Sequence, residues 1–114
     1  MYNEDKSSWT QKNGTMSDKS AREVFGLTQE EIMQGIKSGK LQYRQNNMHG
    51  NPYLKLIRSE VESFVKKKYG ENHFNKHVIE YELKEIKREI NSMKRKVSIL
   101  EKRKIELMNM IVNY

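Results

Sequence analysis

From residue 79 to residue 114 apolar side chains recur in alternating steps of four and three: Ile79, Leu83, Ile86, Ile90, Met93, Val97 and Leu100, then, beyond Lys104 in the same series, Leu107, Ile111 and Tyr114. A mean step of 3.5 keeps a stripe turned toward a partner helix, so the pattern predicts a coiled coil, with residues 79–111 of the series as its dimerisation seam. Phe74 and Ile79 flank Asn75 as a hydrophobic staple flanks its cap. That places the helix at 76–114 and leaves 71–75 as a short linker. With Leu83 at position a, a parallel homodimer sets Glu82 against Lys87, Glu89 against Lys94 and Lys96 against Glu101, three attractive pairs, and lets the Lys104 ammonium reach water. An antiparallel pair also finds matches, Glu82 with Arg103 and Glu89 with Lys96; the parallel dimer is the expectation. Ile105, Met108, Met110 and Val112 widen the stripe, as a larger bundle, a folded-back hairpin or a partner protein's helix would require.

Upstream the periods are shorter. Ser17 or Asp18 caps a helix over 18–25 whose Ala21, Val24 and Phe25 share a face, and Gly26 ends it. Thr28 and Glu31 form a capping box for a second helix over 29–38, with Ile32 and Ile36 turned inward beside Leu27 and Gly39 just past the end. Two short helices joined this tightly predict a helix-turn-helix. A β-hairpin wing follows over 41–58: an LQYR strand, a turn-rich tip over 45–52 containing Asn46, Asn47, Gly50, Asn51 and Pro52, and a YLKLIR strand. Ser59 and Glu62 form another capping box, opening a third helix that buries Val61, Phe64 and Val65 and closes at Gly70. The fold class is thus mainly α with a small hairpin, a winged helix-turn-helix over 17–70 joined to a coiled coil. Residues 1–16 show neither period and read as a flexible polar tail, with Trp9 partly exposed.

Charge gives this architecture a partner. The chain carries a formal +7, with ten basic and six acidic residues over 17–70 and ten and seven over 71–114, while the first sixteen residues balance. An excess spread over both predicted parts favours a polyanion, and nucleic acid before membrane, because no apolar run approaches a membrane span. On the second helix Gln29 and Gln34 are suited to adenine edges, Lys37 to phosphate or guanine, and Met33 to a thymine methyl. Lys40, Arg44, Asn46, Asn47, His49, Lys55 and Arg58 supply donors along the wing, although Asn and Gly are also what tight turns require. Glu30 opposes phosphate. Lys66, Lys67 and Lys68 either complement a helix dipole or meet phosphate.

Catalytic readings lack parts: there is no P-loop, no G-x-S-x-G and no nucleophile with a base. His73 and His77 stand four apart, with Glu80 a turn on, but as ordinary solvated histidines they require no metal or cofactor. The chain has no cysteine, and nothing N-terminal reads as a signal peptide, so a cytoplasmic setting is expected, nucleoid-associated in a prokaryote.

The runs S-A-R-E-V-F-G-L-T, I-K-S-G-K-L-Q-Y-R and Y-L-K-L-I-R-S-E-V-E-S-F-V, within residues 20–65, resemble the winged helix-turn-helix of the MerR and excisionase superfamily. The resemblance implies DNA contact through the second helix and wing, here Gln29, Gln34 and Lys37 with Arg44, His49 and Arg58. The chain departs from that pattern in Glu30 and in an Asn-rich rather than Arg-rich tip. The Y-L-K-L strand is also similar to the DNA-binding domain of the xeroderma group A repair family, whose zinc module has no counterpart here. The expected function is a dimeric regulator or accessory DNA-binding protein. The alternatives are an adaptor that recruits a protein partner through its coiled coil, or a binder of single-stranded or repair-junction DNA.

Overall fold

The computed structural model describes residues 8–114. It is mainly helical, with one small three-stranded antiparallel sheet and a long final helix. In chain order the elements are β1 (Thr15–Ser17), α1 (Asp18–Phe25), α2 (Gln29–Lys37), β2 (Tyr43–Met48), β3 (Asn51–Ile57), α3 (Arg58–Tyr69) and α4 (Glu71–Val112). Two compact units result, Met1–Tyr81 and Glu82–Tyr114, the second being the continuation of α4.

The first two helices start and stop as their local chemistry dictates. The Ser17 hydroxyl accepts from the Ser20 amide at 3.0 Å, and Gly26, at φ +74°, turns the chain out of α1 while its amide closes on the Arg22 carbonyl. The Thr28 box forms in full: the Glu31 amide donates to the Thr28 hydroxyl, and the Thr28 amide donates to the Glu31 carboxylate.

The sheet is larger than its sequence suggests. Its order is β1-β3-β2, with Met16 opposite Leu56 on one side and Tyr43 opposite Leu56 on the other. Residues 15–16, expected in a flexible tail, instead form an edge strand, and the chain just before them is tied down too. The Gly14 carbonyl accepts the Arg58 amide, the Asn13 carbonyl accepts from Arg58 Nε at 3.1 Å, and Trp9 is only 8 % exposed. The part of that tail at 1–7 lies outside the described residues. The hairpin loop is also shorter than expected: strand pairing continues to Met48–Asn51, and the turn is His49-Gly50 alone, at φ +53° and +84°. Two successive positive φ values make the tight connection whose twist suits a hairpin, which lets Asn46 and Asn47 lie in β2. Pro52 lies within β3. Since the Leu54 amide points away from β2 to Asp18, the amide that Pro52 lacks would face the same open side.

The predicted cap of the third helix does not form. β3 runs directly into α3, the Arg58 amide is satisfied by Gly14, and Ser59 falls inside the helix. Glu60, in the first turn, accepts from the backbone and side-chain amides of Gln42 at 2.8 and 2.6 Å. Nor is there a linker over 71–75. Helix α4 starts one residue after Gly70, five earlier than expected, because Phe74 and Val78, four apart, pack on the core. Phe74 stacks on Phe25 at 5.2 Å, while Ile79 points to solvent, so no staple forms around Asn75.

Core packing gathers Met16, Ala21, Phe25, Leu27, Ile32, Leu41, Leu56, Val61 and Val65 between the helices and one sheet face. Gly35 marks a close approach: a Cβ there would stand 2.7 Å from Leu41 Cδ1. The Gly35 carbonyl in turn accepts the Lys40 and Leu41 amides and folds Leu41 over the helix end.

Candidate nucleic-acid interface

The exposed ridge of α2 carries Glu30, Met33, Gln34 and Lys37. Gln29 does not join it. Its amide donates to Asp18 at 3.1 Å and its oxygen accepts from Arg22, which also pairs with Asp18, so both ends hold α2 against α1. On the opposite flank Glu31 meets Lys68 at 3.0 Å and accepts from the Tyr69 phenol, linking α2 to α3. Partial burial pushes the Glu31 carboxyl up, but the hydrogen bonds from Tyr69, the Thr28 amide and Lys68 outweigh it and hold the pKa at about 2. Donation to Glu31 raises the pKa of the Tyr69 phenol and of the Lys68 ammonium.

The hairpin has two dissimilar faces. Leu54 and Leu56 look to the core, whereas Arg44, opposite Lys55, belongs to the other face with Ile57. There the Arg44 guanidinium lies 4.3 Å from the Trp9 ring centre, a cation–π contact. Every residue of β2 is exposed. Asn46 accepts the Asn47 amide, and His49 occupies the turn.

Two shallow clefts hold further cations. One, of about 600 Å³, lies between α1 and the hairpin and brings His49 and Lys55 beside Lys19 and Arg22. The other, of about 400 Å³, joins Gln34 and Lys40 to Lys67 and Lys68. Of the residues singled out in the sequence, Met33 and Lys37 share the α2 ridge, His49 and Lys55 share the first cleft, and Gln34 and Lys40 the second. Arg58 is set apart by its bonds to the 13–14 backbone, and Arg44 by Trp9. Lys19 and Arg22 are absent from the sequence reading, whereas Lys67 and Lys68 appear there as cations for either a helix dipole or phosphate. Lys67 and Lys68 stand in a visible basic run, but only the packing of α1 beside β3 brings Lys19 and Arg22 to the hairpin.

Along α4 the predicted seam is uncovered: Leu83, Ile86, Ile90, Met93, Val97, Leu100, Leu107 and Ile111 are all exposed, between 43 and 72 %. His73 stacks between Tyr69 and His77, with ring centres 4.6 and 4.4 Å away. Among the described residues no cluster of three or more His, Cys, Asp or Glu is arranged to hold a metal ion, and no helix is long and apolar enough to cross a membrane. Compared with protein-family models, characterised proteins and solved structures, the chain finds no match in any of the three.

Proposed function

We propose that this chain is a DNA-binding protein that pairs through α4 and contacts duplex DNA with the α2 ridge and the hairpin. On this reading α1 and α2 are a helix-turn-helix, the hairpin is its wing, and a parallel coiled coil presents two such surfaces to paired half-sites. One observation carries the reading: β2 is exposed at all six positions, in a strand of Tyr, Arg, Gln, Asn, Asn and Met. A strand that polar and that exposed contributes little to the core and much to an outside contact. The net charge of +7 supports a polyanion as that contact. Lys37 on the ridge and Lys55 in the cleft between α1 and the hairpin are the phosphate contacts, and Met33 and Gln34 face base edges.

The test is fluorescence anisotropy of a labelled duplex over a salt series. Wild-type affinity is expected to fall as salt rises, and Lys37→Ala with Lys55→Ala to make the log–log slope shallower by about 1 per lysine. Equal affinity and slope in the double variant overturn the surface. Absence of binding at low salt overturns the function and leaves the protein-interaction adaptor, which the uncovered stripe on α4 favours. Tighter binding to single strands or junctions than to duplex would move the reading to repair-type substrates.

A further inference from the structure

We infer that the outer face of α4 over residues 84–102 is a second duplex-binding surface, which grips the phosphate backbone without reading sequence; the inference rests on the DNA binding and the pairing of α4 proposed above. Positive charge is concentrated here. Over 84–104 nine basic residues stand against three acidic ones, leaving +6 where the whole chain has +7, and the rest of 71–114 is net acidic. The cations are also ordered. Lys84, Arg88, Asn91, Arg95, Ser98 and Lys102 follow one another in steps of four and three, the rhythm of the apolar seam, and so form one row along the helix. That row lies roughly 150° around the helix from the seam, so pairing through the seam leaves it in water. All six side chains are exposed, and none is acidic or apolar.

These charges are spare. The ion pairs that join two parallel copies of α4 use Lys87, Lys94 and Lys96, which lie outside the row. Arg88 turns to Glu85 on its own helix, while among the described residues Lys84, Arg95 and Lys102 meet no carboxylate. Like charges held this close repel, more so once two copies lie side by side, and a polyanion laid along the row offsets that repulsion. The chemistry of the row then selects among polyanions. Its cations at 88, 95 and 102 recur about every 10.5 Å and the row runs for about 27 Å, which suits a polymer charged along its whole length. An acidic protein surface would need an aromatic or aliphatic anchor, and a single strand would need rings on which to stack its bases; the row has no apolar side chain and 84–104 no aromatic one. A basic helix that lies on lipid does so by its apolar face, which pairing covers. Duplex phosphate remains, with Asn91 and Ser98 as neutral donors between the cations.

Fluorescence anisotropy of the full chain with labelled random-sequence duplex over a salt series tests this. Arg95→Gln with Lys102→Gln is expected to weaken binding and to make the log–log slope shallower by about 2 per chain, with helicity and sedimentation unchanged. The charge-keeping pair Arg95→Lys with Lys102→Arg is expected to hold the wild-type slope. Should the glutamine variant lose helicity, Lys84→Gln with Lys102→Gln takes its place with the same expected change. A wild type that does not bind at low salt overturns the DNA-binding reading and this inference with it. A wild-type slope in the glutamine variant overturns this surface, and leaves the DNA-binding reading standing where Lys37→Ala with Lys55→Ala makes the slope shallower. Tighter binding of the wild type to phosphatidylserine vesicles, or to a single strand of the same length, than to duplex overturns the choice of occupant.

Discussion

Trp9 lies outside the main core cluster, yet it is buried and stacks on Arg44, so the segment before β1 is held by an aromatic side chain as well as by the 13–14 carbonyls. Trp9→Ala removes that burial and the cation–π contact together. Truncating a buried large aromatic costs about 3 kcal/mol, and a loss of that order in urea unfolding is expected, against well under 1 kcal/mol for an exposed residue. Glu31 makes a prediction of a different kind. Its pKa is about 2 when folded against 4.5 ordinarily, so folding favours the ionised form. The resulting stability is fully present above pH 4.5 and is lost as the pH falls through that value toward 2. Unfolding midpoints measured down that range should fall for the wild type, and more gently for Glu31→Gln, which starts less stable at neutral pH because it cannot pair with Lys68.

For the hairpin the controlling residues are the two in the turn. Gly50 at φ +84° occupies a conformation that a β-branched side chain resists, so Gly50→Val should strain the turn by about 1–2 kcal/mol and loosen strand pairing near Met48 and Asn51. Hydrogen exchange of the hairpin amides reads this directly: unchanged protection would mean that the turn does not set the register. Elements with local causes were legible in the sequence. The Thr28–Glu31 box, the Gly26 stop and the inward positions Ala21, Phe25, Ile32, Val61 and Val65 all stand where the pattern puts them. What the sequence concealed depends on distant partners. Nothing in Thr-Met-Ser signals a strand until β3 is present to pair with it, and Ser59-Glu60-Val61-Glu62 reads as a cap until β3 carries the chain straight into the helix. The same limit applied to the candidate surface. The α2 ridge follows from helical periodicity, whereas the placing of Lys19 and Lys55 along one cleft is a product of packing. Gln29 and Arg58, both plausible donors by type, are consumed elsewhere, Gln29 by Asp18 and Arg22 of the preceding helix and Arg58 by the distant Asn13 carbonyl.

At the scale of the whole molecule, one helix serves two unlike environments. Its first turns pack Phe74 and Val78 against the core, and from Leu83 onward it exposes an apolar stripe broken only at Lys104. Any proposed association through that stripe is linked to stability by mass action, so the thermal midpoint should rise with protein concentration, and Ile90→Lys should abolish the rise while leaving the Phe25–Phe74 packing in place. A midpoint independent of concentration in the wild type would argue against pairing through α4. A truncation meant to isolate the first unit should keep residues through 81, because stopping at Gly70 removes Phe74 and Val78 from the core.

The chain has a single tryptophan, and its ring lies under a guanidinium on the exposed hairpin. That makes the protein its own optical reporter. While Arg44 covers the indole, its emission should be blue-shifted; a phosphate competing for the same guanidinium would uncover the ring, and the spectrum would move to the red without any label being attached.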